Sequence, residues 1–142
     1  MNRLKLILIL FGLAAFFKPE DSFSQDFLVV GNDTGITSLT NSELISIFKP
    51  KNNRWENNRP VIIVLPGAGS VISDAVARQV YGKSFVAVQK YWLSLVFQGR
   101  YNAPYFFNTD EEVLNFVKKN PGAIGFVSSS NSVPENLLIR IK

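Results

Sequence analysis

Residues 61–70, VIIVLPGAGS, decide the fold class. Val61 to Leu65 is a continuous apolar run opened by Pro60, the pattern of a strand covered on both faces. It runs into the turn Pro66-Gly67-Ala68-Gly69-Ser70, after which Ile72, Ala75, Val76, Gln79 and Val80 recur at helical spacing until Gly82. A strand, a glycine turn and a helix start form the unit of a layered α/β domain, and such a turn can aim backbone N–H groups and a positive helix end at an anion. The turn lacks the Lys-Ser/Thr of a P-loop and the spacing of a dinucleotide fingerprint, so an ordinary strand-to-helix connection is the plainer reading of its composition.

Towards the C-terminus, residues 84–104, SFVAVQKYWLSLVFQGRYNAP, predict a long helix. Phe85, Val88, Tyr91, Trp92, Leu95 and Val96 recur in steps of three and four, a stripe that must be buried. Ser84 is placed to cap its start and Gly99 to close it, which makes this the most buried helix of the chain and leaves Arg100 in the loop at its end. Tyr105-Phe106-Phe107 is an aromatic cluster, and Thr109-Asp110-Glu111-Glu112 is a capping box opening a helix with Val113, Leu114, Phe116 and Val117 inside. Asn120-Pro121-Gly122 stops that helix. A strand, Gly122 to Val127, follows, with room for close backbone approach at its glycines. Leu137 to Ile141 predicts a last strand, an edge on account of Arg140 and Lys142.

Towards the N-terminus, Phe27 to Gly31 reads as a buried strand. Thr40-Asn41-Ser42-Glu43 is a first capping box, and Leu44, Ile47 and Phe48 form the apolar side of the short helix it opens. The polar segment from Lys51 to Arg59 is interrupted by Trp55, which an apolar pocket has to receive. Strands alternating with helices give a small mixed sheet flanked by helices, with ligands expected at strand ends.

Composition narrows the function. The chain has 142 residues, 46% of them hydrophobic and 18% charged, enough for one core and too few for two. Its formal charge of +4 is spread without a Lys/Arg cluster, which argues against nucleic acid as a partner. Arg3 and Lys5 precede an apolar run from Leu6 to Phe17, and Ser22 and Ser24 flank Phe23 as a signal peptidase prefers, so residues 1–24 read as a secretory signal and 25–142 as the domain. That run is shorter than the roughly 20 residues a bilayer span requires. With no cysteine and no histidine, an exported domain of this kind has no disulfide staples, and thiol nucleophiles, imidazole bases and the usual zinc ligand sets are excluded. Gly67-Ala68-Gly69-Ser70 also lacks the glycine that follows the serine of a nucleophile elbow by two residues. The expectation is a binding protein rather than an enzyme, with neither metal nor cofactor.

Several stretches occur in an order that resembles the substrate-binding proteins of phosphate ABC transporters, within the type 2 periplasmic-binding-protein superfamily. They are Leu39-Thr40-Asn41-Ser42-Glu43-Leu44 running on to Phe48, Trp55, Tyr91-Trp92 with Phe97-Gln98-Gly99-Arg100 and Pro104, and Asn120-Pro121-Gly122-Ala123-Ile124-Gly125-Phe126-Val127. The resemblance covers about Phe27 to Ile141 and implies a single lobe of a fold that is two-lobed in its full-length members. It also implies a small oxyanion, phosphate first, at Gly67, Gly69 and Ser70; Arg100 or Lys83 could supply the charge such a ligand calls for. Where phosphate-binding members carry an Arg followed four residues later by Ser-Gly-Thr, this chain has Pro66 and Ser70-Val71-Ile72. The implied setting is the periplasm, and the implied partners are an ABC permease or another envelope protein. A different reading keeps the lobe and makes it an interaction module, a homodimer or a protein-binding domain, whose exposed aromatics Trp55, Tyr101 and Tyr105 bind the partner. Convergence of Ser70 and Arg100 on one point would favour the first reading. A contiguous apolar surface would favour the second.

Overall fold

The computed structural model describes residues 26–51 and 53–142; the signal read at residues 1–24 lies outside them. Six strands form one mixed sheet. In chain order they are β1 (Phe27–Gly31), β2 (Ser38–Leu39), β3 (Ile62–Pro66), β4 (Tyr105–Phe107), β5 (Ala123–Ser128) and β6 (Leu138–Ile141). Across the sheet the order is β2-β6-β1-β5-β3-β4. β1 runs antiparallel to both of its neighbours, β5 and β6, whereas β3 is parallel to β5 and to β4. The helices are α1 (Asn41–Ile47), α2 (Ser73–Val76), α3 (Phe85–Phe97) and α4 (Asp110–Lys119). α2 continues into a π-helical segment, Ala77–Tyr81, closed by Gly82 in the left-handed region.

Alternation along the strands sorts the core into two layers. Val29, Leu65, Ile124 and Phe126 point to one face and meet Leu44 of α1, Val76 of α2, Val80, and Val88 and Trp92 of α3. Val30, Val64, Ala123 and Val127 point to the other face, where Val113 and Val117 of α4 cover them. Coverage on both faces explains the unbroken apolar runs of β3 and β5. At Gly125 a Cβ would stand 2.9 Å from Val64 Cβ, so the close approach of β5 to β3 requires glycine there.

Local sequence signals account for much of the framework. Thr40 and Glu43 form the reciprocal capping box: the Glu43 amide donates to Thr40 Oγ1 at 3.2 Å, and the Thr40 amide donates to Glu43 Oε1 at 3.2 Å. The Thr40 hydroxyl, which donates to Glu43 Oε1 at 2.9 Å, and after it the Thr40 amide hold the Glu43 carboxyl below its usual range. Trp55 is buried and its indole N–H donates to the Gly122 carbonyl at 2.9 Å, which pins the polar 53–59 loop to the start of β5. Tyr81 ties three helical segments together: its hydroxyl donates to the Phe48 carbonyl at 2.9 Å and accepts from the Trp92 indole N–H at 3.2 Å. Burial pushes this phenol's pKa well up, with the Trp92 hydrogen bond acting the other way.

Four expectations are corrected. β6 is no edge: β2 pairs with it on one side and β1 on the other, and Arg140 is accommodated because its side chain leaves the sheet towards Glu135, 2.6 Å away. The aromatic cluster at 105–107 is itself a strand and forms one edge of the sheet, β2 forming the other. At Thr109 only the forward half of the box forms, its hydroxyl accepting from the Glu112 amide, while the neighbouring Asp110 carboxylate accepts from the Ser128 amide at 3.0 Å. The fourth concerns α3, which is not the most buried helix. Only Val88 and Trp92 are buried; Phe85, Tyr91, Leu95 and Val96 are half-covered, and Val86, Leu93 and Phe97 face solvent at 55%, 55% and 83% exposure. α3 is apolar nearly all round, and the sheet reaches only one side of it. Among the described residues no helix is long and apolar enough to cross a membrane.

Candidate functional site

β3 and β4 are adjacent and parallel, with Val64, Leu65 and Pro66 opposite Tyr105, Phe106 and Phe107. Their carboxyl ends feed opposite faces: β3 leads to α2 and α3 against one layer of the core, and β4 leads to α4 against the other. The two connections part there, which is the switch-point position where doubly wound sheets hold ligands. Gly67, Gly69 and Ser70 reach this point from the β3 side and Asn108 from the β4 side, and the two sides are hydrogen-bonded to each other.

Hydrogen bonds fix the shape of this turn. The Gly67 amide donates to the Phe107 carbonyl at 2.7 Å, and the Ser70 amide donates to the Gly67 carbonyl at 3.0 Å. The Gly69 amide donates to Asn108 Oδ1 at 3.0 Å. Ser70 Oγ accepts from the Ile72 amide at 3.3 Å, and the Ser73 hydroxyl donates to the Ser70 carbonyl at 3.1 Å. Three of the amides that a cradle could offer are therefore already engaged. Among the described residues, the Ala68 and Val71 amides, the Ser70 hydroxyl hydrogen and the Asn108 side-chain NH2 have no partner, and Ala68, Gly69 and Asn108 are exposed. The approach of Asn108 is closest at Gly67, where a Cβ would lie 2.5 Å from its Oδ1, and tight at Gly69, where one would lie 3.1 Å from its Cγ. α2 starts at Ser73, three residues beyond Ser70, without a side-chain cap, so its dipole is short and displaced from the turn.

Arg100 lies elsewhere. It is exposed in the loop that precedes β4, at the amino end of the β3–β4 pair, whereas the glycine turn leaves the carboxyl end. The structure brings Gly67, Gly69 and Ser70 together and does not bring Arg100 to them. The loop after Arg100 instead borders a hollow of about 550 Å³, lined by Arg54, Trp92, Tyr101, Tyr105, Phe116 and Asn120 among others. Of the three aromatics expected to be exposed, Trp55 is buried, Tyr101 is half-buried and Tyr105 is half-exposed. Asn108 was not singled out in the sequence, because its position matters only once residues 105–107 are known to be a strand beside β3.

Solved structures share this arrangement of strands and helices. An ABC-type phosphate transport receptor from Vibrio cholerae matches over 82% of this chain and 46% of its own, with 19% identity and a TM-score of 0.57. A protein assigned as a phosphate ABC transporter substrate-binding protein from Clostridium perfringens, solved with bound phosphate, matches over 82% and 44%, with 17% identity and a TM-score of 0.60. PstS from Borrelia burgdorferi matches over 82% and 47%, with 14% identity and a TM-score of 0.57. The chain thus spans less than half the length of these structures and has a fold like theirs over that part. No protein-family model matches the chain, and no curated protein does.

Proposed function

We propose that this chain is a solute-binding-type domain of the bacterial cell envelope that takes a small oxyanion, phosphate in the first instance, at the switch point between the carboxyl ends of β3 and β4. The observation that carries the reading is the placing of the Gly67–Ser70 turn at the switch point, with the Ser70 hydroxyl and Asn108 NH2 as unpaired donors on either side. Binding would proceed through these neutral groups and the Ala68 and Val71 amides, and release would need no chemistry. Pro66 supplies no guanidinium and Arg100 is at the far end, so the charge-assisted bidentate contacts that make anion binding strong are missing. The expected dissociation constant is accordingly on the order of millimolar. An exported location and an ABC permease as the receiving partner belong to the same proposal.

Isothermal titration calorimetry of the purified protein with phosphate and sulfate, beside Ser70→Ala, tests it. Saturable phosphate binding that the variant loses is the expected result. Binding unchanged in the variant, or no binding of either anion at tens of millimolar on the scale of that estimate, would overturn it.

A further inference from the structure

We infer that the groove between α3 and β4 is a docking site for an acidic amphipathic helix of a partner protein. The groove holds about 440 Å³ and is lined by Val86, Gln89, Leu93 and Val96 of α3 and by Pro104 and Phe106 on the β4 side. The four α3 positions follow one another by three, four and three residues, the spacing of a coiled-coil seam. They form a second seam beside the one by which Val88 and Trp92 meet the sheet, and Trp92, between the two, also lines the groove. Val86 and Leu93 are each 55% exposed in it, and Phe97, beside Val96, is more exposed still. Large apolar side chains repeating along one exposed helical seam mark a surface made to be covered.

Charge specifies the occupant. From Lys83 to Thr109, the stretch that includes every lining residue, the chain carries Lys83, Lys90 and Arg100 and no Asp or Glu. Lys90 itself lines the groove, at the position next to the seam where coiled coils place their interhelical ion pairs. Lys83, ahead of the helix, is held over the Tyr91 ring, 4.5 Å from its centroid, and that ring does not line the groove, so Lys90 is the cation at the groove itself. A second copy of α3 laid antiparallel on this seam would set Lys90 against Lys90 with no carboxylate to separate them. A partner helix with leucine-like residues on one side and carboxylates flanking them satisfies both the apolar seam and its cationic border. The recessed floor formed by Pro104 and Phe106 suits an inserted helix better than a flat lipid surface.

The test is fluorescence polarisation with two labelled synthetic peptides of about three heptads, both with Leu at a and d, one with Glu and one with Lys at e and g. The purified protein is compared with Leu93→Lys and Lys90→Glu, with circular dichroism to check their folding; both positions are exposed, so both variants should fold. The expected result is saturable binding of the Glu peptide, at least about tenfold tighter than the Lys peptide, a loss of about tenfold or more in Leu93→Lys, and a reduced or reversed charge preference in Lys90→Glu. Failure of the Glu peptide to bind, or equal binding of both peptides, would overturn the inference. So would Leu93-dependent dimerisation in analytical ultracentrifugation or Leu93-dependent flotation on anionic vesicles, since each would assign the groove another occupant.

Discussion

Removing one oxygen at Tyr81 should destabilise this domain more than its half-buried position suggests. In Tyr81→Phe the ring still packs, but the Phe48 carbonyl loses its 2.9 Å donor and the Trp92 indole N–H loses its 3.2 Å acceptor. Phe48 and Trp92 are both buried, so neither group gains ready access to water. An orphaned buried polar group costs about 1–3 kcal/mol, and partial solvation near Tyr81 places the sum at about 2–4 kcal/mol. Against a typical stability of about 5–15 kcal/mol this is a large fraction. The melting temperature should fall by on the order of 10 °C. Urea denaturation followed by tryptophan fluorescence measures the loss, and a double-mutant cycle with Trp92→Phe isolates the shared hydrogen bond, whose coupling should be about 1 kcal/mol. The phenol adds a pH signature. Its folded pKa is raised above the unfolded value, so the contribution is complete below about pH 10 and is lost as pH rises beyond it. Tyr81→Phe should abolish that alkaline loss. A destabilisation under about 0.5 kcal/mol, or strictly additive single variants, would refute the reasoning.

Other sites allow separate tests. Gly125→Ala forces a Cβ to 2.9 Å from Val64 Cβ and should cost about 1–3 kcal/mol in thermal or urea unfolding, by prying β5 from β3. Thr40→Ala removes the cap of α1 and should cost about 0.5–2 kcal/mol. Because Thr40 lowers the Glu43 pKa in the folded state, the wild-type contribution is present above the usual carboxylate range and is lost as pH falls through the lower folded value; urea midpoints across that acidic range should decline less steeply in Thr40→Ala. Trp55→Phe keeps an aromatic ring but removes the indole donor to the Gly122 carbonyl, which retains its bond from the Ile62 amide, and should lower stability by about 0.5–1.5 kcal/mol in the same unfolding assay.

Which parts of this fold were legible in the sequence follows from how local each signal is. β1, β3 and β5 announce themselves as unbroken apolar runs because the sheet is covered on both faces, and the Thr40–Glu43 box is complete within four residues. Trp55, a lone aromatic in a polar loop, had to find a pocket and does. β2 is two residues long and β4 three, too short for periodicity to register, and both exist through pairing with distant strands. Arg140 suggested an edge because a charge on a strand is indifferent to whether the neighbouring strands are present; only its side-chain direction matters. For α3 the sequence revealed the apolar character but not the side on which it is spent, since a helix apolar nearly all round offers two seams and the sheet reaches one. The candidate site shows the same division. Gly67, Gly69 and Ser70 were readable as a strand-to-helix turn, whereas Asn108 and the separation of Arg100 depend on the β3–β4 pairing.

The measurement that bears most directly on the proposed switch-point site is a two-dimensional ¹⁵N NMR titration of the purified protein with phosphate. Saturable shifts confined to the Ala68, Ser70 and Val71 amides and the Asn108 side-chain NH2, with the Arg100 amide unmoved, are the result the account predicts. Shifts centred on Arg100 and Tyr101 instead, or none that saturate, would contradict it.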